Sequence, residues 1–123
     1  MTLDEARSYL LSQPNAREDF PFGPEVRVMK VGKKMFATLA ESDGMGRMNL
    51  KCDPNEALIL RDLFPAVLPG YYMNKRHWNT VVLDGTIPRG ELERMIDNSY
   101  DLVLAGLPAR EREALEAQRG PRT

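Results

Sequence analysis

Leu3, Ala6, Tyr9 and Leu10 recur at helical spacing at the start of the chain. This predicts a first helix running to about Ser12, entered through a candidate capping box of Thr2 and Glu5. Gln13-Pro14-Asn15-Ala16 stops it. Phe20-Pro21-Phe22-Gly23-Pro24 then imposes an extended, turn-rich path, because each proline fixes its own φ and restricts the residue before it. The two phenylalanine rings are expected to plug one end of the core. From there the pattern changes towards a period of two. Residues 25–31 read as a strand, Val31-Gly32-Lys33-Lys34 as a turn, and 35–40 as the return strand. After a turn at 42–46, Met48, Leu50 and Cys52 alternate with Asn49 and Lys51, the pattern of a sheet covered on one face.

Asp53-Pro54-Asn55-Glu56 is a strong helix start, with an N-cap aspartate and proline at the first helical position. Ala57, Leu60, Leu63 and Phe64 give its expected buried stripe, and Pro65 ends it. Residues 69–85 read as a second hairpin. Pro69-Gly70 is a turn dipeptide, Tyr71-Tyr72-Met73 an aromatic strand, Asn74-Lys75-Arg76 a polar reversal, and 77–83 the return strand. Alternation puts His77, Asn79, Val81 and Leu83 on one face and Trp78, Thr80 and Val82 on the other, so an inner strand is expected. Thr86-Ile87-Pro88 begins the longest helix, with Leu92, Met95, Ile96, Ser99, Tyr100, Val103 and Leu107 in register, closed by Gly106 and Pro108. The tail 108–123 alternates Glu and Arg; it is expected to add a solvated helical turn or two and to fray at Gly120-Pro121.

Helices separated by antiparallel hairpins indicate an α+β fold: a single antiparallel sheet built from hairpins, with helices packed on one face. Composition adds little to this picture. The 123 residues are 42% hydrophobic and 28% charged, as in an ordinary globular domain, so one domain over 1–123 is expected, with 108–123 as a charged tail. A single cysteine excludes an internal disulfide. No signal-like segment or apolar run of membrane-spanning length is present, so the expectation is a cytoplasmic protein with no membrane partner.

The run Pro69-Gly70-Tyr71-x-Met73-Asn74-Lys75-x-His77-Trp78-x-x-Val81-x-Leu83-Asp84-Gly85 resembles the signature of the YjbR/MmcQ family. Phe20-Pro21-Phe22-Gly23-Pro24, Leu50-Lys51-Cys52-Asp53-Pro54 and Ser99-Tyr100-Asp101-Leu102-Val103 match it too, in the family's order, so the resemblance spans about 4–107. It implies a small bacterial protein with a CyaY-like (frataxin-like) α+β fold, also described as a double-wing fold. It also implies DNA as a partner.

Little in the chain points to catalysis. With one His and one Cys it cannot build a zinc site of the usual kind, and Asp43-Gly44 lacks calcium-loop spacing. The acidic ridge that frataxins use for iron would here be only Asp4, Glu5, Glu18 and Asp19, offset by Arg7. A Cys52–His77 dyad is conceivable, but packing alone is the expectation for Cys52, and a hydrogen bond to a neighbouring strand or the Asn74 turn for His77. No dinucleotide, phosphate-loop or nucleophile-elbow pattern occurs. The expectation is therefore no enzyme, no catalytic residue, no metal and no cofactor.

Two function classes stay open. Arg27, Lys30, Lys33 and Lys34 on one hairpin, with Lys75 and Arg76 on the other, would straddle a phosphate backbone as two wings. The net charge of −1 gives the whole molecule no strong pull on nucleic acid. The rival is a binding module for a small ligand or a protein, using the sheet face or a groove lined by Tyr72, Met73, Asn74, His77 and Trp78. A monomer is assumed in either case.

Overall fold

The computed structural model describes residues 1–119. The expected fraying at Gly120-Pro121 lies outside them. Helix α1 (Leu3–Leu11) opens on the expected capping box: the Thr2 hydroxyl accepts from the Glu5 backbone N–H, and the Glu5 carboxylate accepts from the Thr2 backbone N–H. After Pro14 comes a strand that the apolar pattern did not announce, β1 (Arg17–Asp19), because its three residues Arg-Glu-Asp are all charged. Strands β2 (Val26–Val31), β3 (Lys34–Ser42) and β4 (Met45–Lys51) follow as a meander. Helix α2 (Pro54–Leu63) starts as expected, with the Asp53 carboxylate accepting from the N–H groups of Asn55 and Glu56. Then come β5 (Val67–Pro69), β6 (Trp78–Val82), the long α3 (Arg89–Ala105) and α4 (Ala109–Arg119). Residues 109–119 thus form three helical turns where one or two were expected. Leu115 explains it, because this one apolar position packs against the core.

All strands join one antiparallel sheet in the order β1-β2-β3-β4-β6-β5. The fold is α+β, as the pattern predicts, and β6 is an inner strand. Met29, Val31, Leu39, Met48, Leu50 and Val81 point to the helices and are buried there with Leu10, Leu92, Ile96 and Tyr100. Burial of each such side chain contributes about 1.5–3 kcal/mol. A bulge gives β3 one extra residue: Met29 pairs with Ala37, but Lys30 pairs with Met35. Phe36 is the unpaired residue, and it enters the core beside Ala37. Its ring meets that of Tyr100 edge-on, with centroids 5.4 Å apart and planes at 89°.

Three expectations are corrected. Residues 71–73 are not a strand: β5 is Val67–Pro69, and residues 70–77 form a long connection to β6. Aromatic composition suggested pairing, but Gly70 turns the chain away after its N–H bonds the Trp78 carbonyl. The Tyr71 N–H then goes to the Thr80 hydroxyl instead of a strand partner. The phenylalanines do not plug the core; Phe20 and Phe22 are 44% and 70% exposed. Leu63 is exposed too, because α2 lies over β5 and β6 at the sheet's edge and buries only Ala57 and Leu60.

Candidate functional site

The face of the sheet turned away from the helices carries a broad concavity. Its floor is made of small side chains on adjacent strands: Thr38, Ala40 and Ser42 of β3, with Asn49 of β4 and Thr80 of β6 beside them. Low side chains on the middle strands leave a trough, and longer groups on both sides raise its walls. Phe22 and Val26 stand on one side, and Tyr71, Tyr72 and Met73 on the other. The cleft has a volume of about 450 Å³, within the range of small-molecule sites. Most of its surface is apolar.

The tyrosine wall is held by a small polar network. Thr80 Oγ1 accepts from the Tyr71 N–H at 2.8 Å and donates to Asn49 Oδ1 at 2.5 Å. Asn49 Nδ2 donates to the Tyr71 carbonyl at 3.4 Å, closing the ring. The Tyr71 and Tyr72 rings lie 4.2 Å apart at 48°. Tyr72 sits at φ 60 and is 88% exposed, an uncommon backbone state for a bulky residue. From behind, Arg61 of α2 clamps the connection. Its guanidinium donates to Asn79 Oδ1 and to the carbonyls of Lys75 and Trp78.

Among the described residues Arg47 is the one charged residue lining the cleft. Its Nε is buried without a hydrogen-bond partner, a state that costs about 1–3 kcal/mol when left unmet. Sequence reasoning passed over it, although the alternation that faces Met48 and Leu50 inward puts Arg47 with Asn49 on the uncovered side. Phe22 was missed as a wall because two aromatic rings beside prolines read as core.

Of the expected groove residues, Tyr72 and Met73 line the cleft, while Asn74, His77 and Trp78 do not. Asn74 shapes the turn, its Oδ1 accepting from the Arg76 N–H at 2.9 Å. Trp78 opens β6, half-buried opposite Lys51. His77 bonds the Asn74 turn and the neighbouring segment through its backbone, with the Cys52 N–H donating to its carbonyl at 2.8 Å. The Cys52 thiol is buried, and desolvation followed by Glu56 and Asp53 pushes its pKa up to about 11. That is opposite to what an activated nucleophile needs.

The basic residues divide into two groups. Lys30 pairs with Asp19 at 2.9 Å, and Arg27 lies 3.6 Å from Glu18, which also takes a two-pronged bond from Arg7. Strand β1 thus neutralises part of the first cluster. Lys33, Lys34, Lys75 and Arg76 are exposed and enter no ion pair among the described residues. Strand register puts both tips at the same end of the sheet, flanking the end of β4, since Val31 pairs with Lys34 and Lys51 with Trp78. One acid adjoins the first tip, because a side chain at Gly32 would run into the Glu111 carboxylate of α4. Three of the four frataxin-type acids are engaged elsewhere: Glu18 and Asp19 as above, and Glu5 with Arg89 at 2.6 Å. Among the described residues no cluster of His, Cys, Asp or Glu suits a metal ion, and no helix is long and apolar enough to cross a membrane.

Comparison with known proteins places this geometry. A family model described as YjbR matches residues 11–102. A protein called YbdF from Escherichia coli O157:H7 is 36% identical over 110 residues, covering 89% of this chain and 90% of its own length. The YjbR protein of Escherichia coli strain K12 is 31% identical over 115 residues, covering 94% and 98%. Both carry the description uncharacterized. The crystal structure of Deinococcus radiodurans protein DR2400, with the family-model domain DUF419, superposes with a TM-score of 0.84 at 40% identity, covering 93% of this chain and 87% of that one. A Pseudomonas syringae crystal structure gives 0.73 at 27% identity, covering 83% and 98%.

Proposed function

This chain belongs to the YjbR family, and from that premise we propose that it is a non-catalytic binding protein whose uncovered sheet face takes a small, largely apolar ligand. The observation that carries this reading is the cleft of about 450 Å³ between Phe22 and the Tyr71–Tyr72 pair. Such a trough on a rigid sheet, with few polar groups on its floor, is suited to a small molecule. The buried, protonated Cys52 thiol supports a non-catalytic role.

Titration of ¹⁵N-labelled protein with 2-naphthol tests it. Amide shifts are expected at Thr38, Ala40, Asn49, Tyr71 and Thr80, with Tyr72→Ala weakening binding about tenfold, the loss of roughly 1.4 kcal/mol of aromatic contact. Shifts confined to the exposed Leu58, Ile59 and Leu63 of α2 would sink the reading.

A second reading, DNA binding, is favoured by the common position of the two basic tips. Lys33, Lys34, Lys75 and Arg76 have no acid partner among the described residues and would each meet a phosphate. Counterion release then gives a log–log salt slope of roughly −3.6 for four contacts on a labelled duplex. The slope is expected to flatten when all four are changed to alanine. Dissociation constants weaker than about 10⁻⁴ M at physiological salt for both proteins would leave only non-specific affinity.

A further inference from the structure

The cleft is apolar in its walls yet holds a cation with nothing to balance it. Among the described residues Arg47 is the one charged group lining it, and no carboxylate does. The neighbours of Arg47 on its own face are uncharged: Ala40 and Val82 across the flanking strands, and Met45 and Asn49 along β4. By contrast, Arg7, Arg89 and Arg94 each hold a carboxylate. Among the described residues the Arg47 guanidinium is in no ion pair, and its Nε is buried without an acceptor.

An arginine left unpaired beside an apolar trough sets a requirement on the occupant. A neutral ligand would leave the cation desolvated and unmatched when it displaced water from the cleft. A carboxylate supplies acceptors in the planar geometry that a guanidinium reads with two parallel hydrogen bonds. Nε and one terminal nitrogen of Arg47 would supply the two donors once its last side-chain bonds rotate to uncover the buried Nε. The body of the ligand then lies over Ala40 and Thr38, between Phe22 and Tyr72.

We propose that the ligand of this cleft is an apolar monocarboxylate and that Arg47 is its anion anchor. The proposal rests on the reading of the cleft as a small-ligand site, and a matched pair of probes separates the two. 2-Naphthoate and 2-naphthamide share a ring system and nearly a shape, but only the first carries charge at pH 7. Calorimetric titration of the intact chain is expected to give at least tenfold tighter binding of the carboxylate. Arg47→Met should abolish that preference, bringing the two probes to a common affinity. Arg47→Lys, which keeps the charge but lacks the planar fork, should retain part of it and guards against a folding defect in the methionine variant. Equal binding of both probes to the unmodified protein overturns the Arg47 proposal and leaves the cleft reading standing. Binding of neither overturns both, as does a dimer in analytical ultracentrifugation that persists in the presence of either compound.

Discussion

Ser99 joins the two layers of the molecule through one hydroxyl. It is fully buried on α3, donates to the Phe36 carbonyl at 2.5 Å and accepts from the Lys51 N–H at 2.8 Å. The Phe36 carbonyl belongs to the bulged residue of β3, so it lacks the regular ladder partner that pairing would supply. Ser99→Ala strands a buried acceptor and a buried donor at once. The expected cost is about 1–3 kcal/mol, read as a lower urea midpoint with an unchanged slope. A serine on an otherwise apolar helix face was visible in the pattern. Its partners were not, because a bulge carbonyl and the end of β4 are brought to it only by the sheet.

Among the elements, the connection between β5 and β6 does most to shape the cleft, and here sequence and structure part. Caps, helix stripes and the alternation of β4 were legible because they are local. Tyr71-Tyr72-Met73 misled because aromatic composition is shared by strands and by exposed walls. Only the close approach of Gly70 to β6 decides between them: a side chain there would meet the Trp78 carbonyl and Cβ at 2.8 Å. Gly70→Ala must therefore push the wall away from β6. It is expected to cost about 1–3 kcal/mol and to shift the Tyr71 and Thr80 amide signals, both measurable on one labelled sample. The cleft itself was half legible. Tyr72 and Met73 were named from sequence, but Phe22 and Arg47 lie far off in the chain and join them only through the order β3-β4-β6. Arg27 and Lys30 read as free cations because their partners sit on β1, which has no apolar signature.

For the whole molecule, the first and third helices are tied together by charge at the surface. Glu5 caps α1 and also accepts from Arg89 at the start of α3. The Thr2 backbone N–H, then Arg89, hold the Glu5 carboxyl down to about 2, from a usual value of 4.5. A depressed folded value means that the ionised form favours folding. This contribution is complete above about pH 4.5 and is lost as pH falls towards 2. Glu5→Gln is expected to be less stable than the unmodified protein at neutral pH and to lose part of the stability change across that acid window. Thermal melts at stepped pH measure it. Identical acid profiles for the two proteins would remove Glu5 from the account. The sheet, covered by helices on one side alone, leaves its other side to the cleft.

Tyr72 carries a consequence for descent. At φ 60, asparagine or glycine is the easier residue for the backbone, and a tyrosine 88% exposed returns little burial for the strain. Folding alone would let this position drift. If the cleft binds a ligand as proposed, relatives that share this use should keep an aromatic ring here against that drift, and relatives without it should show Asn or Gly. The residue at this one site would then record, across the family, which members share the proposed binding.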